Sequence, residues 1–531
     1  MSHPFIENDV SGLETLIGAL CDPSIYPHPV QTISQITTHI SWVLLTGQFA
    51  YKIKKPVNFG FLDFSTLQKR LFFCQEEVRL NQRLTKDLYL EVVPITGTFS
   101  HPEFGGNGDV IEYAVKMRQF PSGYMLNNLA VQGELSVETV DQIVDIVADF
   151  HASITTAETT SPYGDSKDIK HWFDENFDHI RPLLNDEHQL LQLQTIQTWG
   201  NAAWLKLSAL MQERKMLGYV RECHGDLHLG NMTLINNTVT LFDCIEFNPM
   251  LRWVDVISEV AFLTMDFAHF GYHNYAHRFL NRYLQRTGDY QGLILVRYYQ
   301  VYRAMVRAKI SRLRISQPST GTISIKQAKL DFSNFANLAE YYISHHQPIL
   351  IITHGFSGSG KSTVAGQLAD KIGVIQIRSD IERKRLFGYS AQATSSSTPG
   401  RGLYTPEADL KTYQYLAKLA TISLKAGFST IIDATFLKHA QRQSFQKLAA
   451  DFGATFFIVD FQASIDELCR RIKARQQDAS EATIEVLLQQ QTSAEALLTE
   501  ELTNVIGINS ASEDVLQILI KEINRHWEKQ I

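Results

Sequence analysis

The chain has 531 residues, of which 44% are hydrophobic, and it carries a formal net charge of −7. This length and composition allow two or more cores of ordinary size. The acidic balance excludes a general electrostatic attraction to nucleic acid or to an anionic membrane surface.

The use of cysteine and the absence of long apolar segments predict a cytoplasmic protein. The five cysteines are odd in number and form no C-x-x-C pair, which favours reduced thiols over a disulfide framework or a zinc site. Residues 1–9 have neither a basic start nor an apolar stretch, so no signal peptide is expected. No segment approaches the roughly 20 apolar residues of a spanning helix, so no membrane association is expected.

The first predicted elements are a lysine-bearing hairpin and a helix. Residues 43–54 predict two strands around a short turn, with Lys52 and Lys54 on one face because they alternate with apolar residues. The helix predicted at residues 72–84 offers Glu76 and Glu77. A kinase fold needs a strand lysine at the ATP phosphates and a helix glutamate paired with it. The hairpin and the helix are therefore candidates for these two parts.

The segment 224–231 (HGDLHLGN) has the D-x-x-x-x-N spacing of a kinase catalytic loop. In such a loop the aspartate orients the acceptor and the asparagine binds Mg²⁺. A turn then joins two short strands, and the second strand delivers Asp243 where a kinase keeps its second metal-binding aspartate. An isolated H-G-D could also be a simple turn, but the order of these elements favours the kinase interpretation.

These residues resemble the aminoglycoside phosphotransferase branch of the protein-kinase-like fold, which also contains choline-type and other small-molecule kinases. The similarity covers about residues 30–340. Lys54 and Glu76 stay as alternatives in the phosphate-holding pair, because the strand and helix registers are not determined by sequence. There is no G-x-G-x-x-G loop, which is ordinary for this branch and leaves the ATP-side loop unassigned. The resemblance implies Asp226 as the catalytic carboxylate, Asn231 and Asp243 as Mg²⁺ ligands, and Lys52 with Glu77 as the phosphate-holding pair.

A domain boundary is predicted near residue 345. Helical spacing over residues 291–315 is broken by residues 317–321 (QPSTG), and a second helix is predicted over about 325–344. The absence of an internal repeat indicates two different folds rather than a duplication. We therefore predict a kinase-like domain over residues 1–344 and a second domain over residues 345–531.

The second domain opens with a complete P-loop. Residues 355–363 (GFSGSGKST) match G-x-x-x-x-G-K-[ST] and follow the apolar run 349–352, as a strand–loop–helix nucleotide site requires. Backbone N–H groups and a helix N-terminus would form the anion site, with a lysine charge and a hydroxyl for Mg²⁺. The predicted nucleotide-binding residues are Gly355, Gly358, Gly360, Lys361, Ser362 and Thr363, with Ser362 also a metal ligand.

Two further strands are predicted to end near carboxylates. Asp380 lies just past the apolar run 374–377, and Asp433 ends a strand over residues 429–433. The carboxyl edge of a doubly wound sheet is where ligands bind. Asp380 is alternatively a helix N-cap, and Asp433 either contacts the metal through water or orients the P-loop.

Residues 468–475 (LCRRIKAR) predict a helix with two arginines one turn apart. Such a pair can close over transferring phosphoryl groups, although a solvated helix face is the alternative. The pattern resembles the small P-loop kinases that include polynucleotide 5′-kinase, zeta-type toxins, chloramphenicol phosphotransferase and gluconate kinase, over about residues 345–531. Tyr404 and residues 478–482 match a subgroup often fused to an aminoglycoside-kinase-like domain. The resemblance implies Asp380 as the acceptor-activating carboxylate, Arg383 as a substrate-side arginine, and Arg471 and Arg475 as the lid.

The predicted fold class is α/β and α+β in two domains, an N-terminal bilobal protein-kinase-like fold and a C-terminal P-loop α/β fold with a parallel sheet. The leading hypothesis is a bifunctional kinase that uses ATP and Mg²⁺ on small hydroxylated molecules. A C-terminal polynucleotide 5′-hydroxyl kinase is less favoured, because residues 345–531 hold as many basic as acidic residues and lack a basic track. A third hypothesis makes the N-terminal domain an ATP-binding regulator of a single active P-loop kinase.

Overall fold

The computed structural model describes residues 7–60, 62–315, 322–344, 347–390, 405–474, 480, 482–510, 512 and 514–527. They form two compact units. Unit 1 contains residues 1–142, 149–168 and 210–259, and unit 2 contains residues 143–148, 169–209 and 260–531. The boundary near residue 345 stays a prediction, and unit 2 joins helices on both sides of it. Residues 390–401 (SAQATSSSTPGR), whose low-complexity composition predicts a surface loop, lie mostly outside the described residues, as do Arg475 and Tyr404.

Unit 1 is built on a six-stranded antiparallel sheet with the spatial order β1-β2-β3-β6-β4-β5. In β3, Lys52 faces Val43 of β2 on one side and Val115 of β6 on the other. The core of this sheet is apolar and includes Leu44 and Ile53. The strands are β1 (Ser34–Thr37), β2 (Ser41–Leu45), β3 (Phe49–Lys54), β4 (Tyr89–Thr98), β5 (His101–Phe104) and β6 (Val110–Arg118).

Two small sheets lie in the later part of unit 1. Strand β7 (Val220–Glu222) pairs with β10 (Trp253–Asp255), and β8 (Met232–Ile235) pairs with β9 (Thr238–Leu241). The β8–β9 turn consists of Asn236 and Asn237, with φ angles of 51° and 60°. Asparagine tolerates this left-handed conformation better than most residues. The hairpin predicted between the two motif segments is therefore present.

Eleven α-helices are described before residue 345. The helix predicted at residues 72–84 spans Leu67–Asn81 instead, because Thr66 caps it by accepting a hydrogen bond from the Lys69 N–H at 3.2 Å. The helices are α1 (Glu7–Ala19), α2 (Leu67–Asn81), α3 (Leu126–Gln132), α4 (Val137–Ser153), α5 (Ser166–Ile180), α6 (Glu187–Met216), α7 (Pro249–Arg252), α8 (Val256–His269), α9 (His273–Thr287), α10 (Leu293–Ile315) and α11 (Thr322–Ile343).

The C-terminal part of unit 2 contains a five-stranded parallel sheet with the order β12-β13-β11-β14-β15. Its strands are β11 (Ile349–His354), β12 (Ile375–Arg378), β13 (Thr430–Asp433), β14 (Thr455–Gln462) and β15 (Val505–Asn509). Its helices are α12 (Lys361–Ile372), α13 (Ser379–Leu386), α14 (Pro406–Lys425), α15 (His439–Asp451), α16 (Ile465–Ala474), α17 (Ile484–Ser493) and α18 (Val515–Trp527).

The central strand β11 is apolar and buried along residues 349–352, as strands of a parallel sheet covered on both faces are. It packs in a cluster with α12 and α18, to which Leu368 and Leu519 contribute. The predicted fold class is confirmed: the chain is mixed α/β, with an antiparallel sheet in its N-terminal region and a parallel sheet in its C-terminal region.

The described part of the chain contains no helix long and apolar enough to cross a membrane. All five cysteines are free thiols, and Cys74, Cys223 and Cys244 are buried. Burial raises the pKa of the Cys223 thiol, so this thiol packs as a neutral group.

Candidate functional sites

The lysine strand and the α2 helix meet in a buried ion-pair network. Lys52 Nζ lies 2.7 Å from Glu77 Oε1 and 2.6 Å from Asp243 Oδ1. Lys54 Nζ lies 2.6 Å from the other Glu77 oxygen and also contacts Glu246. Because successive strand residues point to opposite faces, Lys52 and Lys54 share a face and can share one carboxylate. Lys52 alone of the two contacts Asp243.

The opposite charges of this network hold Glu77 and Lys52 ionised, whereas burial has the larger effect on Glu246. Burial opposes ionisation of Glu77, but the two ammonium groups lower the pKa of Glu77 to about 2. Burial likewise opposes the charged form of Lys52, and Asp243 and Glu77 raise its pKa. Burial raises the pKa of Glu246, with Lys54 opposing it. The role of Glu246 could not be predicted from a local motif, because its partner Lys54 lies far away in the chain.

The alternative glutamate lies elsewhere. Glu76 pairs with Arg79 at 2.8 Å and with Arg252 at 3.4 Å. Of the two glutamates considered from the sequence, Glu77 is the one in contact with both lysines. The role of the Lys52–Glu77 pair at ATP stays a prediction.

The catalytic-loop segment and the strand that delivers Asp243 are hydrogen-bonded to each other. Asn231 Nδ2 donates to the Asp226 backbone carbonyl at 3.0 Å and to Asp226 Oδ2 at 3.1 Å. The Phe242 N–H donates to the Asn231 carbonyl at 3.0 Å. These bonds bring Asp226, Asn231 and the Asp243 backbone into one region of unit 1. The three residues predicted from D-x-x-x-x-N spacing and the following strand are thus neighbours.

Asp243 has an unusual backbone conformation. Its φ is 65°, in the left-handed region, and its N–H donates to Tyr89 Oη at 3.2 Å. A non-glycine residue pays a conformational cost there, and such positions cluster at functional sites. The Asp243 side chain is 44% exposed, so a carboxylate oxygen can face a ligand while the other holds Lys52.

Two residues that the sequence analysis missed support the catalytic loop. Glu259 on α8 accepts hydrogen bonds from the N–H groups of His224 at 3.2 Å and Gly225 at 2.5 Å. His151 Nε2 lies 3.1 Å from Glu259 Oε2. Burial opposes ionisation of Glu259, and His151 lowers its pKa. Neither residue stands in a sequence motif, so there was no signal to find them.

Cys223 joins this pair in a potential metal-ligand group. Ligand atoms of His151, Cys223 and Glu259 lie within 4.8 Å of one another. Both oxygens of the Glu259 carboxylate already accept hydrogen bonds from the loop backbone and from His151. The group therefore fits a structural support for the loop rather than a metal centre.

His228, in the same segment 224–231, also contacts the Asp226 carboxylate. Its Nδ1 accepts a hydrogen bond from the Gly230 N–H at 3.0 Å, and its Nε2 lies 3.3 Å from Asp226 Oδ2. Asn231 and His228 thus both contact the same oxygen, Oδ2, of Asp226.

The P-loop of unit 2 joins β11 to α12 and depends on glycine at three positions. Gly355, Gly358 and Gly360 have φ angles of 132°, 85° and 87°. A Cβ at Gly355 would lie 2.7 Å from the Phe461 carbonyl oxygen. Only glycine fits this close approach. The resulting turn leads directly into the N-terminus of the 12-residue helix α12, and the N-terminus of a helix binds anions.

Lys361 is folded along this loop. Its Nζ donates to the Phe356 carbonyl at 2.6 Å and to Ser359 Oγ at 3.2 Å. Both partners are neutral oxygens of the loop, so a phosphate can replace them as a stronger acceptor. Thr363 is exposed on the first turn of α12.

Asp433 lies at the carboxyl end of β13, directly beside the P-loop helix. Its Oδ2 accepts a hydrogen bond from Gln376 Nε2 at 3.2 Å and lies 3.5 Å from Arg378 Nε. Burial raises the pKa of Asp433, while Arg378, a hydrogen bond with Ser362 and Lys361 oppose that rise. The predicted neighbours Ser362 and Asp433 are therefore in contact. Gln376 was missed, because a buried glutamine on a strand has no motif.

Asp380 and Arg383 lie on α13, which starts where β12 ends. The N-cap of this helix is Arg378, so Asp380 lies in the first turn and the N-cap alternative is wrong. Arg383 is buried and donates to Asp409 Oδ1 at 2.8 Å. Both predicted substrate residues are thus at the edge of the sheet where ligands bind.

Arg471 lies against the P-loop from α16. Its Nη1 donates to Ser510 Oγ at 3.0 Å and would lie 3.3 Å from a Cβ at Gly360. Arg470 on the same helix is largely exposed and pairs with Glu467. Arg470 therefore lies on a solvent-exposed face of α16, as the alternative interpretation expects, whereas Arg471 lies beside the P-loop. Arg475, the second predicted lid arginine, is outside the described residues.

Comparisons with known proteins match both regions. A family model described as an AAA domain matches residues 350–497. Over 465 residues the chain is 30% identical to the uncharacterized protein Rv2004c of Mycobacterium tuberculosis (strain H37Rv), covering 86% of this chain and 90% of the relative. The uncharacterized protein Mb2027c of Mycobacterium bovis matches over the same shares at the same identity.

Two solved structures are similar to different parts of the chain. A gluconokinase from Sinorhizobium meliloti 1021 covers 35% of this chain and 97% of its own, with 18% identity and a TM-score of 0.26. A choline/ethanolamine kinase family protein from Mesorhizobium loti covers 62% of this chain and 98% of its own, with 10% identity and a TM-score of 0.35.

Proposed function

The chain belongs to the family of the mycobacterial proteins Rv2004c and Mb2027c, and we propose that it is a bifunctional ATP-dependent phosphotransferase. Each site would transfer the γ-phosphoryl group of ATP to a hydroxyl of a small-molecule acceptor. One observation supports the proposal: each compact unit holds its own cluster of lysine and carboxylate groups. Unit 1 has the Lys52–Glu77–Asp243 network, and unit 2 has the glycine cradle with Lys361 and Asp433.

In unit 1, Glu77 holds Lys52 in place for the ATP phosphates. Asp226 orients the hydroxyl group of the acceptor molecule or takes up its proton. Asn231 and His228 hold the Asp226 carboxylate in place. Glu259 anchors the backbone on which Asp226 stands. The chemistry is mostly positioning and charge stabilisation, which suits a network of buried, mutually ionised groups.

In unit 2, the P-loop backbone and Lys361 hold the phosphates. Asp380, in the first turn of α13, orients the acceptor hydroxyl, with Arg383 beside it on the same helix. Arg471 lies next to Gly360, where a guanidinium group neutralises charge that develops during transfer.

The donors present fit Mg²⁺ at both sites, because carboxylate, amide and hydroxyl oxygens are the ligands this cation prefers. Asn231 and Asp243 would hold it in unit 1, and Ser362 with Asp433 in unit 2. Bound Mg²⁺ supplies charge neutralisation at the β- and γ-phosphate oxygens.

ATP titration by calorimetry on the full chain, with Mg²⁺ present, tests the two-site proposal. We expect two ATP molecules per wild-type chain, one in Lys361→Ala, one in Asp243→Asn, and none in the double variant. Lys438→Ala is the control, since Lys438 is an exposed lysine of unit 2 that pairs with Glu495. Unchanged stoichiometry in either folded single variant would contradict the assignment of that site.

A further inference from the structure

Residues 281–290, which precede the predicted domain boundary, contact the β12 region and helix α13 beside the P-loop. Residues 281–290 belong to the end of α9 and the turn that follows it, and α9 packs against α12 and β12 within unit 2. Three residues of the segment make the polar contacts: Asn281, Gln285 and Tyr290. None of them lies in a sequence motif.

Asn281 pairs with the backbone of the β12 region. Its Nδ2 donates to the Val374 carbonyl at 3.0 Å, and its Oδ1 accepts from the Gln376 N–H at 2.7 Å. The Asn281 side chain is buried, so these bonds are shielded from water and costly to break. They hold the Gln376 main chain in position.

Gln285 supplies the donor that pairs with the acceptor end of the Gln376 carboxamide. Gln285 Nε2 donates to Gln376 Oε1 at 3.2 Å, while Gln376 Nε2 donates to Asp433 Oδ2 at 3.2 Å and to the Ser362 carbonyl at 3.3 Å. A carboxamide has one acceptor end and one donor end. Asp433 Oδ2 and the Ser362 carbonyl can only accept, so the donor end of Gln376 faces them, and the Gln285 donor holds the acceptor end of Gln376 in that orientation. The reverse orientation would place two oxygens against each other.

The same segment anchors the helix that carries the acceptor residues. Tyr290 Oη donates to Glu382 Oε1 at 3.0 Å, and Glu382 is fully buried on α13. Arg385 of α13 donates to the Gln285 carbonyl at 2.5 Å. Gly288 has a φ of 77°, which favours glycine, and a Cβ there would lie 2.6 Å from Arg385 Nε, so a larger residue would shift this arginine.

We propose that residues 281–290 are an integral part of the P-loop site, with Gln285 as a positioning residue that acts through Gln376 on Asp433 and on the P-loop backbone at Ser362. This inference rests on the proposed function of the P-loop site. It assigns a role in the second phosphotransferase site to the region before residue 345.

The test uses the full chain with the substitution Asp243→Asn, so that the metal site proposed in unit 1 does not contribute to the measured binding. The probe is the Mn²⁺–ATP complex, and its binding to the protein and the binding of ATP without metal are both measured by calorimetry. Gln285→Leu removes the hydrogen bond, and Gln285→Glu keeps the size but removes the donor. Residues that hold a metal ligand in position typically contribute about 10–100-fold to metal affinity. We therefore expect the Mn²⁺ affinity of both Gln285 variants to be about tenfold weaker than that of the parent. The affinity for ATP without metal should stay within about twofold of the parent.

The matched control is Gln192→Leu. Gln192 is a buried glutamine of unit 2 that donates to Asn337 Oδ1 at 2.9 Å and Glu340 Oε2 at 2.7 Å, and these contacts involve neither β12 nor α13. It should lose stability without loss of Mn²⁺ affinity. A role of Gln285 in packing alone predicts that Gln285→Glu binds Mn²⁺ as the parent does, and that result would overturn the inference. Lys361→Ala distinguishes a failure of the Gln285 inference from a failure of the proposed P-loop site. If Lys361→Ala leaves Mn²⁺–ATP binding intact, the assignment of the P-loop as an ATP site is wrong.

Discussion

Glutamine at position 77 would remove the charge that holds both strand lysines. Glu77 is fully buried and accepts hydrogen bonds from Lys52 at 2.7 Å and from Lys54 at 2.6 Å. In Glu77→Gln, Lys52 keeps Asp243 and Lys54 keeps Glu246 as remaining partners. Lys52 is then drawn toward the carboxylate that is predicted to bind metal.

The expected loss of stability follows from the burial of this group. Removing one partner of a buried ion pair costs about 3–5 kcal/mol. Because each lysine retains a second carboxylate, we expect the lower end of this range, about 3 kcal/mol. At about 2–4 °C per kcal/mol for a unit of this size, the melting temperature of unit 1 should fall by about 6–12 °C.

The assay combines a melting curve with ATP titration in a Lys361→Ala background, where only unit 1 binds ATP. Glu112→Gln is the control, since Glu112 is equally buried and accepts from Arg70 of the same helix α2 at 2.8 Å. Both variants should be less stable, but only Glu77→Gln should weaken ATP binding. Equal ATP affinities in the two folded variants would refute the assignment of Glu77 to the phosphate-holding pair.

Three further predictions follow from the same contacts. The pKa of Glu77 is lowered from 4.5 to about 2, so the stability that ionised Glu77 contributes is present above about pH 4.5 and is lost as the pH falls toward 2. The difference in free energy of unfolding between wild type and Glu77→Gln, measured by urea titration, should therefore become smaller between pH 4.5 and pH 2. Lys361→Ala should reduce ATP turnover at the P-loop site about 10²–10³-fold with an unchanged melting curve, and near-normal turnover in the folded variant would count against the P-loop assignment. Asp226→Asn should abolish transfer in unit 1 and preserve ATP binding, whereas Asp243→Asn should weaken Mg²⁺–ATP binding itself; identical nucleotide titrations for the two variants would show that this division of roles is wrong.

The sequence reveals the parts of each site that are contiguous in the chain. The P-loop needs its glycines, lysine and hydroxyl at fixed spacing, because one backbone turn must surround the phosphate. Asp226 and Asn231 are visible for the same reason, since a single loop holds them together. In both cases the chemistry imposes a local pattern.

The supporting groups leave no such pattern. Glu246 reaches Lys54, and Gln285 reaches Gln376, across long stretches of the chain. Glu259 acts on the loop backbone, and backbone N–H groups carry no signature of their partner in the sequence. Such contacts depend on tertiary packing, which short-range spacing does not determine.

The central claim of two phosphotransferase sites is tested most directly by transfer of labelled phosphate from [γ-³²P]ATP to a fractionated pool of small hydroxylated metabolites. The full chain is compared with Asp226→Asn, Asp380→Asn and the double variant. We predict two sets of labelled products, one lost in Asp226→Asn, the other lost in Asp380→Asn, and none formed by the double variant. If Asp380→Asn removes every labelled product while Asp226→Asn removes none, the N-terminal region does not transfer phosphate, and the account of two active sites is wrong.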